Sequence, residues 1–340
     1  MRIDFPKRNK LFVETIIYGL ANAIYSGLPL ILLPFMVVVL EPKDYGLVDL
    51  FRSISMVMVP LLGLSAVQSI GRFYFDLEEV TFKKFVSSIQ IFQFFTSTIA
   101  IVILLISSCW IEKEYFILLL LSVVFFFSNQ HIESLLVVYR VENKAVSFLF
   151  IRVLNIVLEL SILYVLYLSF TQLDWQFRVY PTVIASLTVA VVVFLKFRKL
   201  GYRLTFSLKL LKVALIYSTP LILHMLSGYV LNIGDRFFIK LYLTEEDLGN
   251  YAVAYQIGMA INFFYTSFNL AWTPTYFRWM KEGRVTQIKK VKKIIHVLLP
   301  ILGILVLLCW FTFKELFLAN SRYNVSNHIV IVILIANTIF

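Results

Sequence analysis

The sequence contains little charge and almost no polar stretch long enough to form a soluble domain. Of its 340 residues only 15% are charged and 60% are hydrophobic, and the mean hydropathy is +0.85. An ordinary globular domain has about 25% charged residues, so this composition excludes a soluble globular protein. The composition therefore predicts an integral membrane protein.

Cysteine is also scarce. Cys109 and Cys309 have no metal-type spacing, so neither a disulfide framework nor a zinc site is indicated, and we expect no metal and no cofactor. The basic N-terminus is followed by an apolar stretch from Leu11 to Leu40. That stretch is too long for a signal peptide, so it predicts a first transmembrane helix.

Long hydrophobic runs fill the chain instead. A bilayer core about 30 Å thick needs roughly 20 apolar residues per helix. The sequence predicts an all-α, polytopic membrane protein of about ten spans, at about 11–40, 47–72, 82–110, 115–139, 145–169, 177–197, 209–241, 248–275, 288–313 and from 326 onward.

Basic residues are concentrated in alternate loops. They cluster at the N-terminus, at 196–212 and at 278–293, whereas an intervening loop carries Glu245, Glu246 and Asp247. The positive-inside rule then predicts a cytoplasmic N-terminus. The net charge of +11 is spread over short loops rather than gathered in a basic domain, so we expect no nucleic-acid partner.

An internal repeat relates two distant segments. LEPKDYGLVDLFRSISM and LTEEDLGNYAVAYQIGM align Asp44 and Gly46 with Asp247 and Gly249, and two further segments around Cys109 and Cys309 align at nearly the same offset of about 200 residues. An even number of spans per copy makes the copies parallel, which is the plan of a transporter with two moving bundles.

The repeat predicts a domain division. We expect a six-helix bundle at 1–205 and a second bundle at 206–340 with about four spans. Counterparts of the fifth and sixth helices are missing from the second copy, so the 340-residue chain is expected to be a fragment or a truncated product.

Polar residues fall on single helix faces within the predicted spans. Ionisable groups in a span cost about 2.5–3.5 kcal/mol on insertion, so they normally face a bundle interior or a wet cavity. Helix-to-helix bonding is the alternative. The predicted cavity lining consists of Asn22, Tyr25, Arg52, Arg152, Asn232, Arg236, Tyr255, Asn262, Tyr265 and Asn269.

Charged residues in these spans suggest two further roles. Arginine forks match phosphate oxygens and could recruit a diphosphate. Alternatively, Arg236 pairs with Asp235 or Asp247, Arg178 and Lys240 reach the outer interface, and Arg152 pairs with Glu159 or Glu133. The carboxyl groups that could bind a coupling proton or sodium ion are Glu133, Glu159 and Asp235, each with a structural ion pair as its alternative.

Two prolines fall in the repeat-related long helices. A proline inside a helix removes a backbone hydrogen bond and bends the helix. Pro29 and Pro220 are therefore hinge candidates, and static kinks are the alternative.

The segments EPKDYGLVDLFRSISMVMVPLLGLSAVQSIGRFYF, GDRFFIKLYLTEEDLGNYAVAYQIG and WTPTYF carry a family resemblance. They resemble the polysaccharide biosynthesis protein family, the flippases for lipid-linked O-antigen or capsule repeat units, which belong to the multidrug, oligosaccharidyl-lipid and polysaccharide exporter superfamily. The resemblance covers essentially the whole chain, and its motifs are loose.

The resemblance implies a bacterial inner-membrane protein with two six-helix bundles, a central cavity and alternating access, with H⁺ or Na⁺ as coupling ion. The implied cargo is an oligosaccharide on undecaprenyl diphosphate, moved to the outer leaflet. Implied partners are membrane lipid, a polysaccharide polymerase and a chain-length regulator. The alternatives are an ion-coupled multidrug antiporter of the same superfamily and a membrane polymerase or glycosyltransferase; the short outer loops disfavour an enzyme.

Overall fold

The computed structural model describes residues 8–171, 173–262, 272, 276, 279–280, 282–319 and 321–339, with the backbone alone for 8–13, 15–16 and 338–339. Its helices are α1 Arg8–Val39, α2 Pro42–Leu61, α3 Gln68–Phe73, α4 Glu79–Ile106, α5 Lys113–Val141, α6 Ala145–Ser169, α7 Trp175–Lys199, α8 Leu208–Tyr242, α9 Glu245–Gly258, α10 Val285–Phe313 and α11 Asn327–Ile339. A 3₁₀ turn, Ser107–Trp110, extends α4, and a π-helical turn, Lys314–Leu318, extends α10. The described residues contain no strand, so the predicted all-α fold is confirmed.

Seven helices in the described part of the chain are long and apolar enough to cross a membrane. They are Ile17–Val39, Glu79–Trp110, Lys113–Val141, Ala145–Ser169, Trp175–Lys199, Leu208–Tyr242 and Val285–Leu318. α11 is apolar but shorter, and α2 carries four charged residues in its 20. The polytopic architecture is therefore confirmed, while the count of about ten spans stays a prediction.

The chain divides into two compact units. The first comprises Met1–Gly46 with Thr244–Phe340, and the second comprises Leu47–Leu243. In the second unit α5 packs against α4, α6 and α7, and α8 packs against α3 and α4. In the first unit α9 packs against α1, α10 and α11. The predicted bundles at 1–205 and 206–340 stay a prediction.

The predicted helix at 47–72 is wrong, because the chain forms two helices there. α2 ends at Leu61, and Leu64 and Ser65 have positive φ angles of 45° and 53° before α3 begins. Pro60 contributes no backbone donor to the last turn of α2, which weakens the helix at this point. The Ser218 hydroxyl on α8 donates to the Ser65 carbonyl oxygen at 3.3 Å and holds the break.

The predicted helix at 248–275 is also interrupted. α9 ends at Gly258, Met259 forms a turn, and residues 260–262 are helical again before the described residues stop. A Cβ at Gly258 would lie only 2.6 Å from Ile333 Cγ2, because α11 packs closely against α9 at this residue. The predicted cavity residues Tyr255 and Asn262 therefore lie on either side of this turn.

Side chains fix where two of the later helices begin. Ser207 Oγ accepts from the Leu210 amide at 3.5 Å at the start of α8. Thr244 and Asp247 form a reciprocal capping box at the start of α9. These caps satisfy amides that lack a partner within the helix, so the two helices start at defined residues.

Candidate functional site

A charged cluster in the second unit centres on Arg236 of α8, whose residue is only 4% exposed. Its Nε donates to Asp49 Oδ2 on α2 at 2.9 Å, and its Nη1 donates to Asp235 Oδ1 at 2.8 Å. Nη1 also donates to the Asn232 carbonyl oxygen at 2.8 Å. The Arg236 guanidinium is therefore contacted by two groups of its own helix and by one carboxylate of α2.

Two carboxylates, those of Asp49 and Asp235, contact this guanidinium. The Asp235 side chain is 34% exposed and that of Asp49 is 15% exposed. A partly exposed carboxylate beside an already compensated arginine suits a small cation better than a phosphate, because the arginine charge is neutralised locally. The ion-coupling role predicted for Asp235 and the diphosphate role predicted for Arg236 both stay predictions.

A second ion pair joins α5 and α6. Arg152 Nη2 donates to Glu133 Oε1 at 2.7 Å, and the guanidinium lies 5.7 Å from the Phe148 ring centroid. The Arg152 side chain is 7% exposed and that of Glu133 is 25% exposed. Of the two partners left open by the sequence, the structure thus gives Arg152 the carboxylate of Glu133.

Glu159 pairs with an arginine that the sequence had placed at the outer interface. Arg178 Nη1 on α7 donates to Glu159 Oε1 on α6 at 2.6 Å, with both residues buried. Thr182 Oγ1 accepts from Arg178 Nη1 at 2.6 Å and lies 3.0 Å from Glu159 Oε1. The alternative in which Arg178 reaches the outer interface is wrong, because its guanidinium is buried against Glu159.

The remaining predicted cavity residues are distributed over both units. In the second unit Arg52 is half-buried, and Asn232 is exposed with its amide donating to the Gly228 carbonyl oxygen at 2.6 Å. In the first unit Asn22 and Tyr25 are half-buried on α1. The structure does not test whether these residues line one cavity, and that assignment stays a prediction.

Two predicted residues of the first unit have defined neighbours. The rings of Tyr251 and Tyr255 lie 5.8 Å apart on α9. The Asn262 amide donates to Asn337 Oδ1 on α11 at 3.1 Å. Tyr265 and Asn269 lie outside the described residues.

The hinge candidates lie within unbroken helices. Pro29 is half-buried inside α1 and Pro220 is exposed inside α8. Both helices continue through the proline as one element, which fits a bend as well as a hinge. The hinge role therefore stays a prediction.

Sequence reasoning missed three of the partners. Asp49 lies two turns into α2 and Thr182 lies two turns into α7, and neither was among the predicted partners. The third is Glu114 in the first turn of α5, whose Oε1 accepts from Trp175 Nε1 at 2.9 Å. One signal in the sequence could have found the carboxylate partners, because an arginine within a membrane span needs a carboxylate nearby.

Comparisons with known proteins agree with the architecture. The polysaccharide biosynthesis protein family matches residues 11–280. A Haemophilus influenzae protein named for the Lsg locus is 23% identical over 339 residues, covering 97% of this chain and 82% of its own length. An uncharacterised membrane protein of the same organism is 24% identical over 280 residues, covering 81% of this chain and 67% of its own. No solved structure matches the chain significantly. With more than half of its residues matched, the chain belongs to the polysaccharide biosynthesis protein family.

Proposed function

We propose that this protein is a flippase that moves a lipid-linked oligosaccharide from the cytoplasmic to the outer leaflet of the bacterial inner membrane. The observation that carries the proposal is the family match over residues 11–280 of a chain with seven candidate membrane-spanning helices. A polysaccharide-synthesis protein with several candidate spans is suited to moving an amphiphile across the bilayer. The proposed carrier is undecaprenyl diphosphate.

The proposed mechanism is alternating access without covalent chemistry. The two sequence repeats would form the moving parts, with the N-terminus in the cytoplasm, and Pro29 and Pro220 would be the hinges. The tyrosine pair Tyr251 and Tyr255 provides flat apolar faces with hydroxyl groups, which suits contact with sugar rings. A polysaccharide polymerase and a chain-length regulator would act on the translocated product.

Asp235 and Asp49 are the proposed coupling site. They bracket one guanidinium, and Asp235 is the more exposed carboxylate. Binding of H⁺ or Na⁺ at one of these carboxylates would change the charge that faces Arg236. Glu133 and Glu159 each face an arginine at 2.7 Å or less, which suits a structural role.

The decisive experiment measures the leaflet in which lipid-linked repeat units accumulate after deletion of the gene. We expect accumulation in the cytoplasmic leaflet, detected by an impermeant glycan-modifying enzyme that reacts with inverted vesicles but not with spheroplasts. A plasmid copy of the wild-type gene restores outward display. Units that accumulate on the outer leaflet instead would indicate a polymerase or transferase defect and reject the flippase.

One observation favours a second candidate, an ion-coupled multidrug antiporter of the same superfamily. Such a transporter uses carboxylates to bind cationic cargo, and the Arg236 cluster holds two carboxylates for one arginine. An antiporter predicts that deletion lowers resistance to cationic drugs while lipid-linked units keep their normal leaflet distribution. Measuring both phenotypes in one deletion strain separates the two functions.

A further inference from the structure

Two buried glycines in the first unit make an unusually close contact. Gly46 lies in the first turns of α2, and Gly249 lies in the first turns of α9. A Cβ at Gly46 would overlap the Glu245 carbonyl oxygen and lie 2.9 Å from Gly249 N. A Cβ at Gly249 would overlap the Pro42 carbonyl oxygen and lie 3.1 Å from Gly46 N. Only glycine permits this approach of the two backbones.

The contact is reciprocal. Gly46 faces the carbonyl of Glu245, and Gly249 faces the carbonyl of Pro42. The repeat alignment pairs these same positions, Gly46 with Gly249 and Pro42 with Glu245. Each copy of the repeat thus presents the same surface to the other, as in an isologous contact about a two-fold axis.

Polar contacts surround the glycines. Tyr45 Oη donates to Gln256 Oε1 at 2.6 Å, and Tyr323 Oη donates to the Leu40 carbonyl oxygen at 3.1 Å. The rings of Tyr45 and Tyr323 meet edge to face at 6.4 Å. Burial raises the pKa of the Tyr323 hydroxyl, and so do the nearby Tyr45 and Asp44, so it stays a neutral donor at neutral pH.

The helix ends in this contact have like polarity. α2 and α9 meet through their N-terminal turns, which both carry partial positive charge. Asp44 in α2, and Glu245 and Asp247 in α9, lie in these turns and offset that repulsion. The two turns are held by the close approach of their backbones and by hydrogen bonds, and Leu47 and Leu248 beside the glycines are fully buried.

We propose that the Gly46–Gly249 contact is a seal between the two repeats that closes the outward path and parts once in each transport cycle. This inference rests on the proposed function. An added methyl group at either glycine separates the two turns, because the atoms that it meets are backbone atoms that cannot rotate away. The substitution therefore biases the seal toward its open form.

Labelling of a cysteine tests the seal without any transport assay. The two exposed native cysteines are first replaced by serine. Tyr45, which is 5% exposed, is then changed to cysteine, and the rate at which a water-soluble maleimide labels it reports whether the contact is closed. We expect Gly46→Ala or Gly249→Ala to raise its labelling rate about tenfold, the shift that overpacking by one methyl group can produce. Unchanged labelling overturns the proposal.

The chain offers matched controls for these variants. A Cβ at Gly19 or Gly228 would meet nothing within 4 Å, so Gly19→Ala and Gly228→Ala should leave labelling unchanged. General unfolding is detected by a second reporter, Ser134→Cys, which is fully buried as serine in α5. Labelling that rises equally at both reporters would mean loss of the fold and would overturn the seal.

Cross-linking tests the seal with both glycines intact. A short bis-maleimide joins Tyr45→Cys to Gln256→Cys, whose native side chains share a hydrogen bond. We expect the cross-linked protein to lose movement of lipid-linked oligosaccharide in proteoliposomes, whereas each single-cysteine variant treated with the reagent retains it. Full activity of the cross-linked protein overturns the seal and leaves the flippase intact. If the untreated protein moves no lipid-linked oligosaccharide, the proposed function fails, and the labelling experiment alone decides on the seal.

Discussion

Asp49 and Arg236 pair across 187 positions of sequence, with Arg236 Nε 2.9 Å from Asp49 Oδ2. The bond ties α2 to α8 inside the second unit. Asp235 contributes a second carboxylate from the residue next to the arginine. Asp235 nearby and Asp49 far along the sequence thus both compensate the buried charge of Arg236. Substituting each one alone measures its separate contribution.

We expect either carboxylate to suffice for folding, and loss of both to be severe. Asp49→Asn and Asp235→Asn each leave one of the two carboxylates in contact with Arg236, whereas the double variant removes both. Breaking a buried pair costs about 3–5 kcal/mol. Melting of the purified proteins in detergent should show a loss in the double variant well beyond the sum of the single losses; additive losses would contradict shared compensation. Asp76→Asn is the control, because its pair with Arg72 is exposed and such pairs contribute at most about 1 kcal/mol.

Export should depend on Asp235 and Arg236 if their cluster couples or gates transport. Asp235→Ala removes the more exposed carboxylate, and Arg236→Ala removes the centre of the cluster. We expect both variants to display less surface polysaccharide at unchanged protein levels. Normal display by both would reject this role. Glu246→Ala, an exposed carboxylate in the first turn of α9, is the control.

The sequence predicted the helices far better than their partners. Hydropathy and charge alternation are local along the chain, so they located α4 to α8 to within a few residues. They failed at Leu64, because a break with positive φ depends on what packs against it. They failed again at Asp49 and Arg178, since a charged residue near a helix end looks the same in sequence whether it faces water or a distant residue of opposite charge.

The Arg178–Glu159 pair should behave as one structural unit. Glu159→Gln leaves the buried guanidinium without its counter-charge and Arg178→Met leaves the carboxylate without one, so each single variant should lose about 3–5 kcal/mol of stability. The double variant removes both charges and should recover much of that loss. A double-mutant cycle of melting temperatures measures the coupling, and a coupling near zero would rule out a structural pair. The exposed Arg72–Asp76 pair supplies the comparison cycle.

The positive φ angle of Asn143, in the turn between α5 and α6, predicts which residues this position tolerates. Asn143 is exposed and has a φ of 54°, in the left-handed region that asparagine and glycine tolerate and β-branched residues avoid. We expect Asn143→Gly to leave the melting temperature nearly unchanged and Asn143→Val to cost about 1–2 kcal/mol. Since the site is exposed, the two variants differ in backbone strain rather than in packing. Equal stability of both variants would show that the turn relaxes.

The capping box at the start of α9, beside the glycine contact, predicts a loss of folding stability in acid. Asp247 Oδ2 accepts from Thr244 Oγ1 at 2.7 Å and from the Thr244 amide at 3.1 Å, and these hydrogen bonds lower the pKa of Asp247 below its ordinary 3.8. A lowered folded-state pKa contributes stability that is present above pH 3.8 and is lost as the pH falls through the folded value. The stability advantage of the wild type over Asp247→Asn should therefore be largest above pH 3.8 and shrink below it. Thermal melting between about pH 5 and pH 3 measures that difference, and Thr244→Val, which removes the hydroxyl partner, should weaken its pH dependence. A difference that stays constant over this range would mean that the hydrogen bonds of Thr244 do not favour the ionised carboxylate.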